Sequence, residues 1–150
     1  MVLFEKINQD IKTAMMAREK DKLEALRAVK SAFLIAKTEK GATAELSDED
    51  EIKIIIKLVK QRKDSAEIYR TQNREDLYTK EEFEADIISQ YLPKQMSEDE
   101  IIPVLKNIIE TLGVKTPAEM GKVMGMASKQ LAGKADNKVI SDLVKRLLTT

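Results

Sequence analysis

The sequence has no cysteine, no histidine and no tryptophan among its 150 residues. Without cysteine there is no disulfide framework, no thiolate nucleophile and no zinc-thiolate site. Without histidine the commonest nitrogen ligand for metals is gone. So is the only side chain whose ordinary pKa lies near neutrality, and with it every nucleophile, histidine and acid arrangement. Aromatics make up only 4% of the residues, so aliphatic and methionine side chains must fill the interior. An excess of charge is also missing: 26 basic residues balance 26 acidic ones, so any basic surface has to be local. No apolar run approaches the roughly 20 residues that span a bilayer. The amino terminus, Met1-Val2-Leu3-Phe4-Glu5-Lys6, is charged within a few residues. The chain therefore reads as cytoplasmic, with no membrane and no metal partner.

What is present favours helices. Hydrophobic residues are 43% and charged residues 35%, enough for a core and a large solvated surface. Capping patterns recur at Asp21-Lys22-Leu23-Glu24, Ser47-Asp48-Glu49-Asp50, Thr79-Lys80-Glu81-Glu82, Ser97-Glu98-Asp99-Glu100 and Thr116-Pro117-Ala118-Glu119. Each places a capping side chain three residues before an acid that can reach back. Gly41, Gly113 and Gly133 each follow a periodic segment and can end a helix in the left-handed conformation. Apolar residues keep the helical period between these signals. Ile7, Ile11, Ala14 and Met15 mark a first helix, and Leu26, Val29, Phe33 and Ala36 a second. Ile52, Ile55, Ile56, Val59, Ala66 and Tyr69 mark a third, and Phe83, Ile87, Ile88 and Tyr91 a fourth.

The fold class expected is all-α, an N-terminal four-helix unit followed by a smaller C-terminal three-helix unit. Pro93 disfavours helical geometry at Leu92 and a new cap follows at Ser97, so the boundary is set there, giving domains 1–93 and 94–150. The second domain should hold helices Glu98 to Leu112, Pro117 to Ala132 and Asn137 to Leu148. Pro103 lies too far into the first of these for the favoured position, so that helix is expected to start late or bend.

Two regions could carry function. From Lys53 to Arg74 there are seven basic side chains against Asp64 and Glu67, answered by the acidic segment Glu75 to Asp86. That stretch reads either as a solvated face neutralised by its neighbour, or as a ridge in which Lys57, Lys60 and Lys63 share one side for phosphate contacts. The second region is Met120-Gly121-Lys122-Val123-Met124-Gly125 with Gly133-Lys134-Ala135-Asp136-Asn137. Two glycines inside a helix cost about 0.5–1 kcal/mol each, and close approach of a neighbouring helix is the favoured compensation, with approach of a phosphate backbone as the alternative. Met120, Met124, Ala127 and Leu131 read as core. Lys134 and Lys138 lie beside a helix amino terminus, where amide groups attract anions. No Ser-x-x-Lys signature and no phosphate-binding glycine loop is present, so no catalytic residue and no cofactor is expected.

The pieces Leu26-Arg27 with Ser31-Ala32, Lys60-Gln61-Arg62-Lys63-Asp64-Ser65, Tyr91-Leu92-Pro93-Lys94-Gln95-Met96-Ser97, Gly121-Lys122-Val123-Met124 and Gly133-Lys134-Ala135-Asp136 occur in an order and spacing that resemble the GatB/YqeY family, its stand-alone YqeY members above all. The likeness runs over essentially the full chain. It implies a helical fold like the tail of the B subunit of glutamine-dependent tRNA amidotransferase, and hence a non-catalytic module partnered with tRNA or a tRNA-handling complex. Under that resemblance Lys122, Lys129, Lys134 and Lys138 become the nucleic-acid-binding residues. Two alternatives stand beside it: an accessory to glutamine-dependent tRNA amidation, active only with partner subunits, and a protein-protein interaction module that docks an acidic partner on the basic ridge.

Overall fold

A computed structural model describes residues 2–41 and 43–149; Met1, with which the amino-terminal reading begins, lies outside them. Among the described residues the chain is all-α, without a strand. Its contacts group into two compact units, Met1–Leu92 and Pro93–Thr150.

The first unit holds α1 (Val2–Met16), α2 (Lys20–Lys40), α3 (Asp48–Thr71) and α4 (Glu75–Ser89). Ile7, Leu26, Phe33, Ile55 and Ile88 are almost wholly removed from solvent and form its core with Val29, Leu58, Val59 and Tyr91. Burial of each large aliphatic side chain contributes about 1.5–3 kcal/mol, far more than helix propensity, so the helical period of the apolar residues decides which faces turn inward. Phe4 joins the core through its ring, 6.3 Å from that of Phe33. Tyr91, just beyond α4, donates its hydroxyl hydrogen to the Asp10 carboxylate, and burial, reinforced by that acceptor, pushes the phenol well above its ordinary pKa.

The start of α3 is the capping box the sequence announces. Ser47 Oγ accepts from the Asp50 amide at 3.1 Å, and the Asp50 carboxylate accepts from the Ser47 amide at 3.2 Å. Two other expected starts fail. Asp21 lies inside α2, whose cap position is Glu19 without a side-chain bond, and Thr79 lies inside α4, which begins four residues earlier. For Thr79 the reason is local to the turn before α4. Asn73 takes a positive φ of 58°, which asparagine tolerates better than most residues, so the chain reverses within three residues and a new helix starts at once. Met15, Ile56 and Phe83, expected on core faces, are exposed instead.

The second unit holds α5 (Glu98–Leu112), a short 3-10 turn (Pro117–Glu119), α6 (Met120–Gln130) and α7 (Asn137–Thr149). Ile101, Leu105 and Ile108 of α5 meet Val123 and Ala127 of α6 and Ile140, Leu143 and Val144 of α7 in a separate core. Ser97 repeats the capping box with Glu100, and Gly113 ends α5 in the left-handed conformation at φ 67°. Pro103 neither delays nor stops α5, which starts at Glu98 and runs through it. Pro103 is on the exposed side of the helix, where water can satisfy the carbonyl that its missing N–H leaves open. Thr116 makes no side-chain cap bond, and the segment after it is 3-10 before it becomes α-helical at Met120.

Candidate binding surfaces

The Gln95-Met96 segment and the Gly133-Lys134 turn hold each other. Gln95 Nε2 donates to the carbonyl of Gly133 at 2.7 Å, and the Met96 amide donates to the carbonyl of Lys134 at 2.8 Å. The Gly133-Lys134 turn, with Gly133 at φ 74°, thus fastens the segment that leads into α5. Its residues have a structural task whether or not a ligand ever meets them.

The structure puts Lys122, Lys129, Lys134 and Lys138 all at the surface. Lys122 and Lys129 are seven residues apart on α6, hence on one side and about 10 Å from each other along the axis. Lys134 is in the turn and Lys138 in the first turn of α7. The helix amino terminus expected to attract a phosphate is already served: the Asp136 carboxylate accepts from the Lys138 amide at 2.9 Å. A negative side chain is fixed where the anion would sit, which works against anion binding there.

The two glycines of α6 do not admit a neighbouring helix, contrary to the favoured reading. A Cβ added at Gly121 or Gly125 would meet nothing within 4 Å, and both residues are exposed. The packing side of α6 is the opposite one, with Val123 and Ala127 buried and Met120 and Met124 half-buried against the same core.

Along α3 and the turn after it, the basic stretch is paired in part. The arginines are neutralised: Arg62 faces Glu84 of α4, with Nε 3.5 Å from Oε2, Arg70 pairs with Glu67, and Arg74 with Asp76. Burial raises the pKa of Glu84 despite Arg62, and Arg62 Nε is shielded from water without a hydrogen-bond acceptor, so this pair is desolvated but imperfectly aligned. Lys53 pairs with Glu49 at 3.1 Å. Lys57, Lys60 and Lys63 are exposed and have no ion-pair partner among the described residues. The neutralised-face reading therefore fits the arginines and fails for these three lysines.

Two side chains that organise the fold escape a local reading. Glu51 is wholly buried, and its Oε2 accepts from the Phe4 amide at 2.9 Å. A signal existed, since Glu51 lies four residues before Ile55 and seven before Leu58 and so shares their stripe. For Gln95 no short-range signal exists, because its acceptor is 38 residues away.

Among the described residues no group of three or more acidic side chains is placed to hold a metal ion, and no helix is long and apolar enough to cross a membrane.

Comparison with known proteins adds the family. The model of YqeY-like proteins matches residues 4–148. The chain is similar to a protein of Pyrenophora tritici-repentis named "Altered inheritance of mitochondria protein 41, mitochondrial", 28% identical over 98% of this chain and 81% of that protein. A protein of the same name from Saccharomyces cerevisiae is 34% identical over 86% of this chain and 68% of that protein. One from Meyerozyma guilliermondii is 38% identical over 57% of this chain and 44% of its own length. These names correct two expectations. They speak of the inheritance of mitochondria, where the resemblance implied tRNA or its amidation, and the tRNA reading of the chain falls with that. They also carry the word mitochondrial, which overturns the cytoplasmic reading; that reading rested on a charged amino terminus and the lack of a bilayer-spanning run, and neither addresses a protein to a compartment. With the model spanning nearly the whole chain, this protein belongs to the YqeY-like family.

Proposed function

We propose that this YqeY-like chain works by docking rather than by catalysis, in the mitochondrial setting for which its relatives are named, and that the outward face of α3 is the docking surface. The observation that carries the reading is the contrast along that basic stretch: Arg62, Arg70 and, just past the helix, Arg74 are paired, while Lys57, Lys60 and Lys63 stay exposed without an ion-pair partner among the described residues. Unpaired cations of like sign on adjacent turns repel one another by a few tenths of a kcal/mol per pair, and a bound partner would relieve that repulsion.

The same reading treats 1–93 and 94–150 as separate domains, with the docking face on the first. Limited proteolysis should then cut near Pro93 and release fragments that keep their helical signal.

A photo-cross-linking residue at position 60, with one at position 122 as control, tests the docking face in isolated mitochondria. Discrete adducts at position 60 and none at 122 are expected. Adducts at 122 alone, or at neither position, would overturn it.

A further inference from the structure

The outward side of α3 carries more information than its net charge. At 100° per residue, Lys53, Lys57, Lys60, Lys63 and Ile56 fall within an arc of about 120°. Asp64 and Glu67 lie inside the same arc, and Ile68 lies at its edge. Ile56 is 38% exposed and Ile68 55%, and they are about 18 Å apart along the axis. Lys57, Lys60 and Lys63 occupy about 9 Å between them.

Resting on the docking role proposed above, we infer that the occupant of this face is an acidic amphipathic helix of a partner protein, laid along α3 with carboxylates opposite Lys57, Lys60 and Lys63 and an apolar side chain against Ile56. The mixed pattern is the argument. A continuous polyanion, whether a nucleic-acid backbone or an anionic lipid surface, would bring like charge to Asp64 and Glu67 within a turn or two of the lysines it sought. It would also leave both isoleucines against polar groups. A helix can alternate its side chains, meeting the lysines with acids over two turns and the isoleucines with apolar groups. The face also lacks an exposed aromatic ring on which bases could stack: Tyr69, the aromatic residue of α3, is half-buried.

The test uses the full chain and three probes. One is a labelled helical peptide with glutamates at i, i+3 and i+7 and leucines on the adjoining stripe. The others are a labelled single-stranded RNA long enough to run the length of α3, and vesicles with roughly a third anionic lipid. The peptide should bind most tightly, with affinity falling as salt rises. Lys57→Glu, Lys60→Glu and Lys63→Glu together should weaken it at least tenfold, and a peptide with lysines in place of its glutamates should regain binding to that variant. Because α3 is solvated on this side, the triple variant should keep its circular dichroism spectrum; the milder Lys→Gln triple should fall between. RNA or vesicles binding more tightly than the peptide, or a peptide indifferent to the reversal, would overturn the inference. The two proposals fail separately. If position 60 cross-links in mitochondria and the peptide does not bind, the docking face stands and the acidic helix is wrong. If position 60 gives no adduct, the docking role falls whatever the peptide does.

Discussion

Replacing Glu51 should loosen the first unit at the junction of α1 and α3. The carboxylate is fully enclosed, and Phe4, whose amide it accepts, stands in the first turn of α1, where backbone N–H groups have no partner within the helix. Glu51→Ala removes a charge-assisted hydrogen bond at a helix amino terminus and leaves a cavity and a part-buried donor without its acceptor. A hydrogen bond to a charged group is worth about 1.5–3 kcal/mol, and the favourable interaction with the helix dipole adds roughly 0.3–1. A loss of about 2–4 kcal/mol follows. Glu51→Gln keeps a carbonyl oxygen for the Phe4 amide but gives up the charge and turns the second oxygen into an amide donor, so it should cost about half as much. Urea denaturation followed by circular dichroism gives the ranking, and hydrogen exchange at the α1 amides locates it, with Phe4 losing protection first. The chain has two units, so the transition assigned to the first unit is the one to compare. Glu51→Ala costing less than about 0.5 kcal/mol, or Glu51→Gln proving worse than Ala, would refute the reasoning.

Three further outcomes follow from the geometry. Gly121→Ala and Gly125→Ala should each stabilise the second unit by about 0.5–1 kcal/mol in thermal denaturation, because the added methyl meets nothing within 4 Å; destabilisation would show a close neighbour. Gln95→Ala should cost about 0.5–1.5 kcal/mol and speed hydrogen exchange at the Met96 amide, since the bond to Gly133 is lost; unchanged exchange would mean the Met96 to Lys134 bond suffices. The Asp50 carboxyl is held at about 2, below its ordinary 3.8, first by the hydrogen bond from Lys40 and then by those from the Ser47 side chain and backbone. A depressed carboxylate stabilises the fold fully above its unfolded pKa and ceases to do so as pH falls through the folded value, so Asp50→Asn should flatten the acid side of the stability profile between about pH 4 and pH 2. An unaltered slope there would place the acid sensitivity elsewhere.

Local chemistry was legible in the sequence, and partners distant along the chain were not. The Ser47 and Ser97 capping boxes and the left-handed Gly113 all involve residues within a few positions of each other. The same short-range pattern at Thr79 misled, because Asn73 had already reversed the chain and started α4. Glu51 imitates the acids that commonly decorate a first helical turn, and only the presence of α1 turns it into a buried acceptor. The candidate surface followed the same division. That Lys57, Lys60 and Lys63 share one side of a helix follows from spacing alone, whereas their lack of partners depends on where α4 puts Glu84. The glycines of α6 misdirected for the opposite reason: a bare stripe suggests a close neighbour, and the neighbours lie on the other side.

The bond between Gln95 and Gly133 also sets a schedule. A chain emerging from the ribosome exposes Gln95 well before the turn that will receive it, 38 residues later. At roughly 5–20 residues per second, α5 must wait several seconds with its apolar side uncovered, while α1 to α4 already have every helix they need. A chain halted before residue 133 would keep that side open, ready for a chaperone or for another unfinished copy.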